Sequence, residues 1–213
     1  MNWLMSTLGS SIGKKLMMAL TGLGFIGFLT AHLAGNLTLY GGSEAFNAYA
    51  EKLHTLGPLL TLMELGLIAF AITHISTGIL LFIQNRNARP VRYARDERAG
   101  GRTWSSVTMP YTGFIILVFV VFHLLNFSFV DKTNTTIFEI VSSAFARPLY
   151  VAVYVSVMIV VALHARHGFW SALQTLGANH PKYMPTLMVL SLVFSLMVGL
   201  GFGLLPIYIA LRV

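Results

Sequence analysis

Four histidines inside long apolar stretches are the residues of this sequence best placed to do chemistry. They are His32, His74, His123 and His164. An unpaired polar group in an apolar environment is unfavourable by about 2–7 kcal/mol, so each imidazole needs a partner there. One such histidine in each of four stretches predicts that they pair across a group that binds nitrogen. Because the chain contains no cysteine, iron would be held by histidine, methionine or tyrosine, and haem is the candidate.

The composition is that of a membrane protein. Of the 213 residues, 56% are hydrophobic and only 10% are charged, and the mean hydropathy is +0.75. Soluble domains carry about 25% charged residues. We therefore predict an integral membrane protein with one haem-binding membrane domain over residues 1–213. The net charge of +7 bears on membrane topology in such a protein, and we expect no nucleic-acid partner.

The apolar stretches predict an all-α bundle of five transmembrane helices. They cover about residues 15–39, 58–84, 109–130, 148–173 and 185–210. Each is long enough to cross roughly 30 Å of hydrocarbon at ~1.5 Å per residue. The first stretch follows two lysines, like a signal peptide, but it continues without a small-residue cleavage site and is predicted to be a retained helix. No internal repeat is evident from the sequence alone.

Basic residues predict the orientation. The N-terminal segment and the second-to-third and fourth-to-fifth connections hold nine of them: Lys14, Lys15, Arg86, Arg89, Arg92, Arg95, Arg98, Arg102 and Lys182. The opposite side holds four: Lys52, Lys132, Arg147 and Arg212. Because basic residues accumulate in cytoplasmic connections, we predict a cytoplasmic N-terminus and a C-terminus outside.

The alternating direction of the spans decides which histidines can meet. His32 and His123 lie towards the outside, whereas His74 and His164 lie towards the cytoplasm. At ~1.5 Å per residue, roughly 10–15 Å separates the two levels. This arrangement predicts two stacked haems, each with two axial imidazoles, in a helical bundle. With both axial positions filled, the iron is suited to electron transfer rather than to oxygen binding.

Three of the four histidines are followed, three or four residues later, by a glycine. These glycines are Gly35, Gly78 and Gly168. At helical spacing each lies on the face of its histidine and would leave room for a flat macrocycle. Close helix packing is the alternative role for glycine in a membrane. The remaining histidines are predicted not to be ligands: His54, His167 and His180.

Two short motifs complete the pattern. They are Ser11-Ile12-Gly13-Lys14-Lys15 before the first span and Thr30-Ala31-His32-Leu33-Ala34-Gly35-Asn36-Leu37 within it. With the histidine spacing and a fifth span that lacks a ligand, they make the chain resemble the di-haem cytochrome b membrane subunit of succinate:quinone oxidoreductases and quinol:fumarate reductases, in its single-subunit, five-helix form. In that family the first- and third-helix histidines bind the distal haem. The second- and fourth-helix histidines bind the proximal haem.

The resemblance implies a multi-pass anchor and electron-transfer subunit in a bacterial cytoplasmic (inner) membrane. Two b haems would carry electrons between a cytoplasmic flavoprotein and iron–sulfur pair and a membrane quinone, menaquinone or ubiquinone. The isolated chain would not act on succinate. The basic segment from Arg86 to Arg102 would dock the two cytoplasmic subunits, although topology alone accounts for most of its arginines. Arg166 would either pair with a haem propionate or extend to the surface.

Quinone chemistry needs a proton donor or acceptor near a haem edge. Glu64 is the only carboxylate well within a predicted span, where an acidic residue suggests function, although solvation at the interface is the alternative. Its candidate neighbours in an outer quinone pocket are Glu44, Glu51, His54 and Asn126. Some fumarate-reducing relatives have an acidic residue close to the fourth-helix histidine. The apolar neighbours of His164 therefore favour succinate oxidation.

Two functions of other classes are the alternatives. In a haem-free structural anchor, the histidines would only hydrogen-bond between helices, and the spectrum would lack b-type bands. A transporter with histidine relays would have a continuous polar path and an inverted repeat, and the sequence has neither.

The predicted orientation is testable because the chain has no native cysteine. The thiol of Lys182→Cys should react with a membrane-impermeant maleimide only from the cytoplasmic side, and that of Lys132→Cys only from outside. Labelling of spheroplasts and of inverted vesicles measures the difference. Reaction of both positions from one side would contradict the five-span topology, and reversed sides would contradict the orientation.

Overall fold

The computed structural model describes residues 3–88 and 104–212, and eight α-helices lie in these ranges. They are α1 (Trp3–Gly9), α2 (Ser11–Asn36), α3 (Gly42–His54), α4 (Pro58–Asn87), α5 (Trp104–His123), α6 (Ile137–Phe145), α7 (Pro148–Thr175) and α8 (Met184–Ala210). A 3-10 turn, Leu37–Gly41, follows α2, and a π-helical turn, Leu124–Ser128, follows α5. The described ranges contain no strand, and the predicted all-α class is confirmed.

Within the described residues, five helices are long and apolar enough to cross a membrane, as predicted: α2, α4, α5, α7 and α8. Many of their large apolar side chains are exposed, among them Leu62, Ile72 and Phe114. An apolar surface of this extent is suited to lipid, and helices satisfy their own backbone hydrogen bonds there. The chain is therefore a multi-pass membrane protein.

The helix ends differ from the predicted bounds by a few residues. The helix of the first span ends at Asn36, because the chain tightens into the 3-10 turn before the predicted end at 39. The helix of the third span begins at Trp104 rather than at the predicted residue 109. Five basic residues of the predicted docking segment lie outside the described residues: Arg89, Arg92, Arg95, Arg98 and Arg102.

Local capping explains where several helices begin. The Ser10 side chain accepts a hydrogen bond from the Gly13 N–H at 3.0 Å and caps α2. Proline occupies the first turn of α4 and of α7, where its fixed φ and missing N–H cost nothing. At α6, Thr136 and Glu139 form a capping box, and hydrogen bonds from the Thr136 backbone and hydroxyl lower the pKa of Glu139.

Four helices form a ring with the histidines inside it. Around the ring, α2 contacts α4 and α7, and α5 contacts α7 closely and α4 only marginally. In the described residues, the diagonal pairs α2–α5 and α4–α7 make at most marginal backbone contact. The fifth spanning helix, α8, lies outside the ring against α7 and, less extensively, α2. The ring thus encloses space between diagonally opposite helices.

The short helices α3 and α6 cover one end of the ring, which is the end predicted to face outside. The Phe138 N–H donates to Asn47 Oδ1 at 3.0 Å and joins α6 to α3. Beneath them, a buried apolar cluster includes Leu39, Phe46 and Phe145. This cluster holds the connections of α2 and α5 over the bundle.

Glycine allows close approach where α2 meets α4. A Cβ at Gly24 would overlap the Phe70 ring, whereas a Cβ at Gly66 of α4 would meet nothing within 4 Å. Gly24→Val should therefore lower the free energy of unfolding by about 1–3 kcal/mol more than Gly66→Val. Chemical denaturation of the detergent-solubilised protein measures both. Equal effects would contradict the tight α2–α4 contact.

Candidate functional site

His32 on α2 and His123 at the end of α5 face each other across the ring. Their ring centroids are 6.0 Å apart, and the ring planes are 87° from parallel. With metal–imidazole bonds of about 2.0–2.1 Å, two imidazoles on opposite sides of one metal have centroids roughly 6 Å apart. The observed separation therefore fits one metal ion between two axial imidazoles.

The surroundings of this pair are aromatic. The Phe28 ring stacks on His32 at 5.2 Å, and Phe127 lies edge-on to His123 at 5.3 Å. The polar contacts to the two rings are long: Tyr154 OH lies 3.4 Å from Nδ1 of His123, and Asn36 Nδ2 lies 3.5 Å from Nδ1 of His32. These are weak hydrogen bonds at most. The pair is positioned mainly by ring packing.

His74 on α4 and His164 on α7 are held differently. Nδ1 of His74 lies 3.0 Å from the Thr21 hydroxyl on α2, and Nδ1 of His164 lies 2.9 Å from the Thr112 hydroxyl on α5. Each ring also lies against the glycine that follows the threonine. A Cβ at Gly22 or at Gly113 would be 3.5 Å from Cε1 of the histidine. The two histidines thus have matching environments.

Helix positions support the pairing predicted from depth. The diagonal pair α2 and α5 carries His32 and His123, and the diagonal pair α4 and α7 carries His74 and His164. Thr21 and His32 lie eleven residues apart, about 16 Å at ~1.5 Å per residue, so the two histidine pairs occupy separate levels. The ring thus contains two sites, one above the other.

Neither site is a metal cage made of protein alone. In the described ranges no group of three or more His, Cys, Asp or Glu side chains could hold a metal ion. A metal between two histidines must therefore bring further ligands with it. A porphyrin supplies four nitrogens in one plane and leaves two axial positions. The donor set of two imidazoles per level fits haem.

The predicted glycines differ in what surrounds them. A Cβ at Gly168 would meet nothing within 4 Å, so space is open beside His164. At Gly78 the flexible end of Met18 lies 3.3 Å away and partly fills that position. At Gly35 the Tyr49 ring lies 2.5 Å from the Cβ position, so the prediction that Gly35 leaves room for a macrocycle is wrong. Gly35 admits a side chain of α3 instead.

Two further residues of α7 lie near His164. His167 is buried, its ring contacts Trp170 at 4.9 Å, and its Nδ1 has no hydrogen-bond partner among the described residues. Arg166 is exposed. Arg166 is two residues after His164, and residues two positions apart on an α-helix point about 200° apart around its axis. Arg166 therefore lies on a different face from His164, which favours extension of its side chain to the surface over a contact with a cofactor.

The candidate quinone residues are not gathered into one pocket. Glu64 is exposed on α4, as are Glu44, Glu51 and His54 on α3. Asn126, in the π-helical turn after His123, accepts a hydrogen bond from the Tyr150 hydroxyl at 3.0 Å. A cavity of about 280 Å³ at the same end of the bundle is lined by other residues, including Ser142, Tyr208 and Arg212.

Sequence reasoning missed Thr21 and Thr112, although a signal for them exists. Both α2 and α5 contain Thr-Gly with a histidine ten residues after the glycine. Thr112 and His123 lie 91 residues after Thr21 and His32. His164 lies 90 residues after His74, and Pro148 lies 90 residues after Pro58. So few positions carry this repeat that it becomes evident only when the structure brings them together.

In the described residues, the fold and the site define a class: a membrane protein with five spans and two levels, each with two histidines, inside a four-helix ring. The chain is similar to the succinate dehydrogenase cytochrome b558 subunit of Bacillus subtilis (strain 168), with 27% identity over 153 residues, or 70% of this chain and 72% of the relative. This similarity confirms the predicted resemblance. No family model matches the chain, and no solved structure matches it.

Proposed function

We propose that this chain is the membrane anchor and electron-transfer subunit of a succinate:quinone oxidoreductase. It would hold two b haems between a cytoplasmic flavoprotein and iron–sulfur pair and a membrane quinone. The observation that carries the proposal is the 6.0 Å separation of the His32 and His123 rings on diagonally opposite helices. The similarity to a succinate dehydrogenase cytochrome b558 subunit supports it independently.

Each residue of the two sites has a defined part in this function. His32 and His123 would hold the distal haem, and His74 and His164 would hold the proximal haem. A haem iron held between two imidazoles supplies reversible one-electron transfer. The aromatic rings around His32 and His123 keep water away from the distal site. His167 is buried, its Nδ1 has no hydrogen-bond partner in the part of the chain that the structure describes, and it would offer a hydrogen bond beside the proximal site.

The cytoplasmic partners would bind at the basic end of the bundle. Arg86 is exposed in the last turn of α4, and the Lys14 ammonium nearby donates to Gln84 Oε1 at 3.2 Å. The end of α4 and the start of α2 both lie on the side that the excess of basic residues assigns to the cytoplasm. An anionic face of an iron–sulfur subunit would complement this charge.

Quinone, menaquinone or ubiquinone, would react at the opposite end, nearer the distal haem. Glu64 lies in the second turn of α4 and is exposed, at the end of the bundle predicted to face outside. A carboxylate there can exchange protons with the interface. We assign it the proton transfer that quinone reduction requires. The absence of an acidic residue next to His164 supports succinate oxidation as the direction.

Removing one proximal ligand should remove one haem. His74→Ala or His164→Ala is expected to lower the haem content from two to one per chain, because one imidazole no longer completes the axial pair. His180→Ala, in the loop before α8, is the matched control and should retain two. Pyridine haemochrome analysis and reduced-minus-oxidised spectra measure the content. Two haems in both ligand variants would contradict the assignment.

Glu64→Gln should slow quinone reduction without changing haem content. Loss of a general acid–base group lowers such rates by about 10²–10⁴-fold, and Glu64→Asp should recover part of the rate. Electron flow from succinate to quinone in the assembled complex is compared with flow to a soluble dye, which bypasses the quinone. Asp131→Asn, an exposed carboxylate on the same side, is the control. An unchanged quinone rate in Glu64→Gln would remove this residue from the mechanism.

A further inference from the structure

We infer that Thr21 and Thr112 are positioning residues for the proximal haem, which fix the tautomer of His74 and His164 so that Nε2 is the free ligand atom. The inference rests on the proposed function, because it concerns how two of the proposed axial ligands are prepared. It begins from the two matching contacts, 3.0 Å at His74 and 2.9 Å at His164. In each, a threonine on a neighbouring helix meets Nδ1.

Counting protons favours one direction for each hydrogen bond. A threonine hydroxyl has one hydrogen to donate, and a backbone carbonyl can only accept. The Thr21 hydroxyl lies 2.7 Å from the Met17 carbonyl, so its hydrogen is already given to the helix. The Thr112 hydroxyl lies 3.1 Å from the carbonyls of Thr108 and of Met109. With its hydrogen given to the helix, each hydroxyl oxygen has a lone pair with which to accept from the histidine.

The histidines therefore carry their hydrogen on Nδ1. In a neutral imidazole with Nδ1–H, the other nitrogen, Nε2, has a free lone pair. That is the form in which histidine binds a metal. Metal-binding histidines usually donate their second ring N–H to a fixed acceptor, which also sets ring orientation and raises the basicity of the ligand nitrogen. Here the acceptor belongs to another helix.

A glycine follows each threonine. Gly22 and Gly113 lie against Cε1 of His74 and of His164, at positions where a Cβ would be in van der Waals contact with the ring at 3.5 Å. Eleven residues are close to three helical turns of 3.6 residues, so each threonine lies on nearly the same face as the histidine that follows it. The helices α2 and α5 thus give a ligand to the distal level and an acceptor to the proximal level.

The distal histidines lack an equivalent support. Their Nδ1 contacts are 3.4 and 3.5 Å, and the Asn36 amide nitrogen already donates to the His32 carbonyl at 2.8 Å. Loss of a threonine hydroxyl should therefore affect only the proximal haem. This selectivity lets the distal haem serve as an internal reference within each variant.

The test replaces each hydroxyl by a methyl group of similar size. In Thr21→Val and in Thr112→Val, the midpoint potential of the proximal haem should rise, because an imidazole without its acceptor donates less charge to ferric iron. The potential of the distal haem should stay at its wild-type value. Redox titration of the purified complex measures both potentials, and low-spin electron paramagnetic resonance reports the ligand field of each haem. Haem affinity at the proximal site should fall by about 10–100-fold.

Two further variants separate positioning from damage to the helix. Thr21→Ser retains the hydroxyl and should restore the wild-type potential and spectrum. Thr30→Val on α2 removes a hydroxyl whose one hydrogen bond among the described residues is to the Ile26 carbonyl, at 2.9 Å, and should leave both haems unchanged. A valine variant that loses the proximal haem alone, while the serine variant retains it, supports the inference equally.

Three results would count against these conclusions in different ways. Wild-type potentials and spectra in both valine variants would overturn the role of the threonines while leaving the haem ligands in place. Equal changes at both haems, or the same change in Thr30→Val, would assign the effect to the helix and overturn it too. A wild-type protein with no b-type spectrum would remove the proposed function itself, and this inference with it.

Discussion

The structure depends on one constraint: an imidazole inside hydrocarbon must have a partner. The chain meets it at His32, His74, His123 and His164, which lie partly buried between the four helices of the ring. Two rings approach each other at metal-bridging distance, and the other two are held by hydroxyl groups. The remaining features of the bundle, including its open diagonals, follow from accommodating these groups.

The distribution of packing within the bundle follows the same constraint. The most extensive helix contact, between α7 and α8, lies outside the ring, and there Gly199 lets the backbones approach, with a Cβ at that position only 3.0 Å from Ala162 Cβ. The buried apolar cluster that includes Leu39, Phe46 and Phe145 closes the end of the ring beneath α3 and α6. Tight packing therefore supports the ring from the side and from one end, while its interior keeps room between diagonal helices.

Much of the fold could be predicted from the sequence because hydrophobic length and the alternation of span direction are strong signals. The five spans and the pairing of His32 with His123 depend on these alone. The role of Gly35 could not be predicted, because only the docking of α3 shows that Tyr49 occupies the space beside it. Thr21 was missed for a related reason. A threonine bonded to the preceding turn is common in membrane helices, and its second contact joins residues 53 positions apart in the sequence.

The offset of 90–91 residues that relates the two Thr-Gly helices extends to the prolines that begin α4 and α7. It defines two equivalent hairpins, α2 with α4 and α5 with α7. Each hairpin contributes one histidine to each level, so neither hairpin alone brings two histidines to one level. The two hairpins are thus complementary halves of the ring, and α8 belongs to neither of them.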